Sequence, residues 1–475
     1  MNLSIHLDTE ETQDRHDSIM MINGGVACLS QIAHDCGWEA EAIDETYTGS
    51  SEPIESLITD KIEVALSKSQ EVVVGFSVLG YNARRSIELT QKLRVKFGSR
   101  IRVICGGQHI RNFSEAFLQY SFDAVCVGRG EVTLLQVLSG ASGLIRDYGR
   151  PAPVAGFRYD GYYGIENRLS EMANQPLGFG DGAIQNIRML VNESVRGGCA
   201  WAAAKKPCNF CALEGITDLL QRDLRSLFIE EEAWAERFGI NRVFDVSNQF
   251  LPTLDPSKAK QYIDGWLEIR KDYPAADKLR RYAYLTVPSL NIPRLSEIVE
   301  VAYVGIDHFC KEGWKSQGKP TSTRKQLWKA LNAAKRSGIK IRAGLVLGRY
   351  ETPESLQALV DGSAELCVRY GGTLDNSGIL LTLGIFPVEI ISGSEDFRWF
   401  RENALSVKAQ EIFSRYERQG WISRQDQRRL TRHFVEQTSN PNGVSFEDVL
   451  AVQSTIVQIC RQHGVITNDV DHGKF

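Results

Sequence analysis

The chain has 475 residues, is 43% hydrophobic and 24% charged, and carries a formal net charge of −4. Its charges of both signs are interspersed, which excludes the strongly basic face or tail of a nucleic-acid binder. The acidic start MNLSIHLDTEETQDRHDS is no signal peptide, and no apolar stretch approaches the roughly 20 residues of a membrane helix. The sequence therefore predicts a cytoplasmic protein with neither nucleic acid nor membrane as a partner.

The length allows two or three domains. Over residues 1–140, apolar runs alternate with amphipathic stretches. GGVACLSQIAHDCGW reads as a helix ending at Gly37, and EVVVGFSVLG (71–80) as a strand buried on both faces. NARRSIELTQKLRVKFG is a helix stopped by Gly98, and IRVICGG (101–107) and FDAVCVGRGE (122–131) are two further strands. This alternation predicts a doubly wound α/β domain, whose ligands bind at the carboxyl ends of the strands. The turns there are Ser77–Tyr81, Gly106–His109 and Gly128–Glu131. Ser77, Gly106, Gly107, Gly128 and Glu131 are candidates for meeting a flat, bulky ligand, the alternative being that the glycines only make tight turns.

Residues 141–185, rich in Gly, Pro and Tyr, read as a linker. A second α/β run follows over 186–395. Its strands are IRMLVNESV, RVFDVSN, RRYAYLTV, VAYVGID, IKIRAGLVLG and GILLTLG. Six βα units predict a partial (β/α)6 barrel with its chemistry at the C-terminal strand ends. Residues 396–475 read as a helical C-terminal region that closes the barrel or grips a substrate.

Of the ten cysteines, most sit singly in apolar stretches, the pattern of small buried hydrophobes. One group breaks it: RGGCAWAAAKKPCNFCALEG places Cys199, Cys208 and Cys211 as C-x8-C-x2-C directly after a strand. Three thiolates with one tight pair can hold three irons of a [4Fe–4S] cluster and leave the fourth open. Zinc is the rival, because C-x2-C is also half of a zinc site, although no second C-x2-C or H-x3-H completes it.

This segment resembles the cluster loop of radical S-adenosylmethionine enzymes, with Phe210 as the aromatic residue before the last cysteine. Its long first gap is similar to the C-x7-C-x2-C loops of peptide-maturation radical enzymes and of the phosphinothricin P-methyltransferase family. VAYVGIDHFCKEGWKSQGKPTS and AGLVLGRYETPESL resemble later loops of that barrel. VVVGFSVLGYNARRSIEL, VICGGQHIRNFSE and FDAVCVGRGEVTLLQVL resemble, in order, the cobalamin-binding domain fused to it. Arg129 interrupts the usual GEGE run, and no D-x-H-x-x-G supplies a lower-axial histidine.

The resemblance implies S-adenosylmethionine and a [4Fe–4S] cluster as cofactors, cobalamin as a further one, and flavodoxin or ferredoxin as electron donor. It implies that Asp307 takes an acidic cofactor-side position. Asp245 and Asn248 would meet the methionine or ribose, and Gly344 to Arg349 would lie near the adenosine. A deoxyadenosyl radical would abstract hydrogen from an unactivated carbon, and the second reagent would decide the product. A thiol returning hydrogen from the opposite face gives L-to-D epimerisation of a ribosomally made precursor peptide, as in the proteusin epimerases. Cys310, just past VAYVGID, is the expected donor, and Cys367 is the alternative. That is the first reading. The second is a cobalamin-dependent methyltransferase acting on a peptide or small natural product, and the third a non-catalytic iron–sulfur or cobalamin sensor.

Overall fold

The computed structural model describes residues 2–6, 24–44, 54–68, 70–148, 156–174, 186–204, 207–212, 219–319, 323–372 and 378–467. They form two compact units. One comprises Met1–Gln175 with Phe413–Ile422, the other Pro176–Ile412 with Ser423–Phe475.

The first unit is built on a parallel sheet of β1 (Asn2–His6), β2 (Ala40–Asp44), β3 (Val72–Ser77), β4 (Ile101–Gly106), β5 (Ala124–Gly128) and β6 (Gly143–Asp147). Their order is β2-β1-β3-β4-β5-β6, so the winding reverses between β1 and β3. The central strands are the continuous apolar runs that the sequence marks out, because a parallel strand is covered by helices on both sides. β2 and β6 are edge strands with polar residues, AEAID and GLIRD, and carry no such mark.

The expected turns do lie at the carboxyl ends of β3, β4 and β5. Their glycines have a backbone cause. Gly107 has φ +120°, and a Cβ there would lie 2.5 Å from the Val78 carbonyl oxygen. Gly128 has φ +100°, with the Asp147 carbonyl oxygen closer still. Both positions need glycine for close strand-to-strand approach, without any ligand. Ser77 and Glu131 are half-buried beside them. Of the expected linker, 149–155 and 175–185 lie outside the described residues. The part between carries a helix, Ile165–Asn174, and the Tyr162 hydroxyl donates to Asp44 at 2.9 Å.

The helical C-terminal region is divided between the units. Helix Val407–Gln419 ends within the first, where its last carbonyls would lack helical partners. Gln119 donates to Arg418 O, Tyr120 to Gln419 O and His109 to Gly420 O, at 2.7, 2.9 and 2.5 Å. Tyr416 stacks on Phe113 at 4.3 Å.

The second unit is a parallel sheet of β7 (Met189–Asn192), β10 (Arg242–Asp245), β11 (Arg280–Leu285), β12 (Val299–Asp307), β13 (Lys340–Leu347), β14 (Leu380–Pro387) and β15 (Ile466–Thr467). Each strand pairs with the next in the chain. Six are the expected barrel strands, and the two-residue β15 joins the edge. Helices intervene where caps start them. Asp223, Asp255, Thr323 and Thr352 accept from backbone amides at the starts of Leu224–Phe238, Pro256–Arg270, Arg324–Ser337 and Pro353–Tyr370. A separate antiparallel pair, β8 (Val195–Gly197) and β9 (Leu219–Gln221), frames the cysteine segment.

Burial lowers the His109 pKa from its usual 6.5 to about 4, with the Gly420 carbonyl opposing that fall. A histidine kept neutral in the fold but protonated when released loses stability as pH falls from 6.5 toward 4. Taking the protein from pH 7.5 to pH 5 should therefore weaken the hold on residues 413–422 by about 2 kcal/mol. Hydrogen exchange of those amides, corrected for intrinsic rate, checks this; unchanged protection contradicts it.

Candidate metal centre

Ser247, Asn248 and Gln249 follow β10 and reach in turn to the strand that enters the cysteine loop. Ser247 Oγ accepts from Val195 N at 2.8 Å, Asn248 Nδ2 donates to Gly197 O at 2.7 Å, and Gln249 Oε1 accepts from Cys199 Sγ at 3.5 Å. A short helix, Ala200–Ala204, leaves Cys199, and residues 205–206 and 213–218 lie outside the described residues. Cys208 and Cys211 close a tight turn, Cys211 N donating to Cys208 O at 2.9 Å. Between them Asn209 is pinned on three sides: its amide donates to Gln317 O, Nδ2 donates to Ser316 O, and its carbonyl accepts from Asp396 N.

The three cysteines form no disulfide with one another, are half-buried, and share one electrostatic environment. Burial pushes the Cys208 thiol up to about 12; Lys319 opposes the rise, and Asp307, Cys211 and Cys199 add to it. The Lys319 ammonium pairs with the Asp307 carboxylate; burial lowers the ammonium pKa, but the Asp307 carboxylate, with Cys208 and Cys199, outweighs it and raises the pKa overall. Cys208, so raised, gives up its proton most readily to a cation that takes the thiolate's charge. Among the described residues, no group of three or more His, Cys, Asp and Glu is gathered as closely as a single metal ion requires. The buried Gln249 Nε2, Asn209 Oδ1 and Gln317 Oε1 around this loop have no partner among the described residues. Three thiols in one loop, with unspent polar atoms about them, fit the three-cysteine set of an iron–sulfur cluster better than the four-ligand set of a structural zinc site.

Asp307 ends β12 in the left-handed region, φ +63°, at a register shift between β12 and β13. Gly305, Gly344 and Gly384 stand in register across β12, β13 and β14, so a row without side chains crosses the sheet. A Cβ at Gly344 would meet open space. Gly344 thus borders room for a ligand, and the row becomes visible only once strand register is known.

Other expected site residues are engaged elsewhere. Asp245 is fully buried and accepts from Ser247 N at 3.1 Å and Ser194 N at 3.5 Å. Its other oxygen meets Arg281 at 3.3 Å; Arg281 also chelates Glu231 and lies 4.6 Å over Trp266. Asp245 therefore anchors the backbone ahead of β8, as Asn248 does behind it. The Arg349 guanidinium is taken up by Asp396 at 2.7 Å.

Cys310 is half-buried and caps helix Lys311–Ser316, accepting from Gly313 N at 3.4 Å. Its sulfur also lies 3.4 Å from His308 Nδ1, which accepts from the amides of Phe309 and Cys310. Cys367 lies in helix Pro353–Tyr370, buried, with its sulfur 3.7 Å from that of Cys460. It does not reach the strand-end loops. Gln249, Lys319 and Gln317 were not singled out from sequence. Polar residues just past a barrel strand are the one signal that could have marked Gln249.

No protein-family model matches the chain, and no curated protein matches it. Among solved structures, the fold is similar to that of the radical S-adenosylmethionine methyltransferase TsrM from Kitasatospora setae, with cobalamin and a [4Fe–4S] cluster bound. The TM-score is 0.58 at 14% identity, over 85% of this chain and 75% of that one. It is equally similar to the cobalamin-dependent S-adenosylmethionine radical enzyme OxsB with aqua-cobalamin and S-adenosylmethionine bound, with a TM-score of 0.58 at 14% identity. That match covers 98% of this chain, which spans 62% of OxsB. The fold is that of cobalamin-dependent radical S-adenosylmethionine enzymes.

Substitutions separate ligands from anchors. Cys199→Ala, Cys208→Ala or Cys211→Ala should each abolish retention of a reconstituted cluster, seen as lost iron and lost visible absorbance, whereas Cys310→Ala should retain both. Asp245→Ala leaves Arg281 short of a buried partner and should cost about 3 kcal/mol of unfolding free energy in a denaturant titration. Unaltered stability would return Asp245 to the ligand-contacting residues.

Proposed function

We propose that this chain is a cobalamin-dependent radical S-adenosylmethionine methyltransferase acting on a peptide or small natural product. The observation that carries the reading is the likeness in fold to TsrM and OxsB over 85% and 98% of the chain, spanning both the cysteine-bearing unit and the doubly wound one. The C-x8-C-x2-C loop and the row of glycines beside Asp307 support it. When bound, the cluster would supply an electron at an open iron, S-adenosylmethionine the methyl group and cobalamin its carrier.

The residues divide the work accordingly. Cys199, Cys208 and Cys211 would hold the cluster, and Lys319 offsets part of the negative charge gathered there. Gly344 leaves backbone open to a ligand, while Asp307 and Lys319 cover Gly305 and the Phe386 ring covers Gly384. The turns after Ser77, Gly106 and Gly128 lie where a doubly wound sheet takes its ligand. No helix is long and apolar enough to cross a membrane among the described residues. A small electron-transfer protein such as flavodoxin or ferredoxin would act as reductant.

Methyl transfer displaces the epimerisation expected first. Both neighbours are described as cobalamin-bound enzymes, and one of them as a methyltransferase. An epimerase also needs a thiol aimed at the substrate with its hydrogen free. Cys310 accepts from an amide at a helix start and lies beside His308, and Cys367 is buried against Cys460. These placements favour methyl transfer.

The test is the mass of the product. Protein purified with cobalamin supplied should carry the vitamin's visible spectrum. With reductant, S-adenosylmethionine and candidate peptides in D2O, it should give a product heavier by one CH2 unit. One solvent deuterium with no CH2 gain would instead establish epimerisation, and absence of any S-adenosylmethionine breakdown would sink both readings.

A further inference from the structure

Around the cysteine loop, one side chain is built as a donor without an acceptor. Gln249 is 2% exposed, its Nε2 has no partner among the described residues, and its Oε1 accepts from Cys199 Sγ at 3.5 Å. A buried N–H left without an acceptor is costly, more so than an underused carbonyl. Gln249 cannot swing away to relieve that cost. Phe250 N donates to Tyr284 O at 2.9 Å, while Ser247 and Asn248 tie the preceding residues to Val195 and Gly197. The backbone of Gln249 is thus fixed within reach of Cys199, and its amide can turn about its own terminal torsion.

The present pairing requires a proton on sulfur. A sulfur ligating iron has none, so it would face the Oε1 lone pairs with its own negative charge. A half-turn of the amide exchanges the two atoms: Nε2–H then points at the sulfur, and the unspent donor is used.

We propose that Gln249 is a positioning residue for the cluster, donating Nε2–H to the iron-bound Cys199 sulfur and raising the cluster's reduction potential. The inference rests on the cluster assignment above and goes beyond it by naming what tunes the cluster. A hydrogen bond to a ligating sulfur draws electron density from it and favours the reduced form. The reduced form is the one able to pass an electron on. In the neutral-thiol form of the loop the same side chain accepts instead of donating, so one buried amide serves both states.

The test is made on anaerobically reconstituted full-length protein without S-adenosylmethionine, with iron and sulfide counted per chain. Gln249→Leu removes the donor, and Gln249→Glu keeps the shape but replaces the donor with a carboxylate. At the wild-type midpoint, the ratio of reduced to oxidised cluster should fall roughly fivefold in Q249L, the worth of one ordinary hydrogen bond. It should fall further in Q249E. A midpoint unchanged in both variants at wild-type iron content overturns the proposal, as does weakened S-adenosylmethionine binding with an unchanged midpoint. Where the variants fail to hold iron, the wild type decides. With glutamine carrying nitrogen-15 in its side-chain amide, pulsed electron paramagnetic resonance of the reduced cluster should show one coupled nitrogen, and absence of that coupling overturns the proposal. Wild-type protein that builds no cluster at all would instead overturn the underlying assignment, and this inference with it.

Discussion

The second unit turns on a problem of charge. Cys199, Cys208 and Cys211 lie half-buried beside the Asp307 carboxylate, with the Lys319 ammonium paired to that carboxylate. Burial holds the Cys208 proton on until something positive arrives. The loop is thus arranged for a cationic guest that takes the charge of the Cys208 thiolate. Much of the surrounding structure keeps the loop in place at that cost. Ser247 and Asn248 fasten its entry, Asn209 is fixed from three sides, and Asp245 with Arg281 and Glu231 forms a buried ionic anchor behind the first strand.

That arrangement reassigns several polar residues. In a barrel, a polar side chain at a strand end can face a ligand or satisfy the backbone of the next loop, and sequence shows both alike. Asp245 and Asn248 do the second. Arg349 is spent on Asp396, which also offers its amide to Asn209, so the loop after β13 and the helix Glu395–Asn403 meet at the cysteine turn. Cys310 caps a helix. What remains gathered at the cysteine loop is a smaller set: the three cysteines, Lys319 and Gln249.

The legible part of the fold was the part that periodicity controls. VVVGFS and the six barrel strands stand out because both faces of a parallel sheet are covered. β1, β2, β6 and β15 are short or lie at an edge, and their polar residues hide them. The C-x8-C-x2-C spacing pointed to Cys199, Cys208 and Cys211 as candidate cluster ligands because few other uses require three thiols in one loop. The long-range devices stayed hidden. Nothing local in the sequence tells that Gly305, Gly344 and Gly384 align across three strands. Nor does it tell that the carbonyls of 418–420 would be capped by Gln119, Tyr120 and His109, about 300 residues away. Gly107 and Gly128 were visible as glycines, but their reason, the close approach of Val78 and Asp147, is tertiary.

The central claim is that three cysteines hold a four-iron cluster whose remaining iron is open to S-adenosylmethionine. Mössbauer spectroscopy of protein reconstituted with iron-57 addresses it most directly. The account predicts a [4Fe–4S] spectrum in which one iron site alone changes when S-adenosylmethionine is added. Four irons indifferent to the addition, or a mononuclear thiolate site in their place, would contradict it.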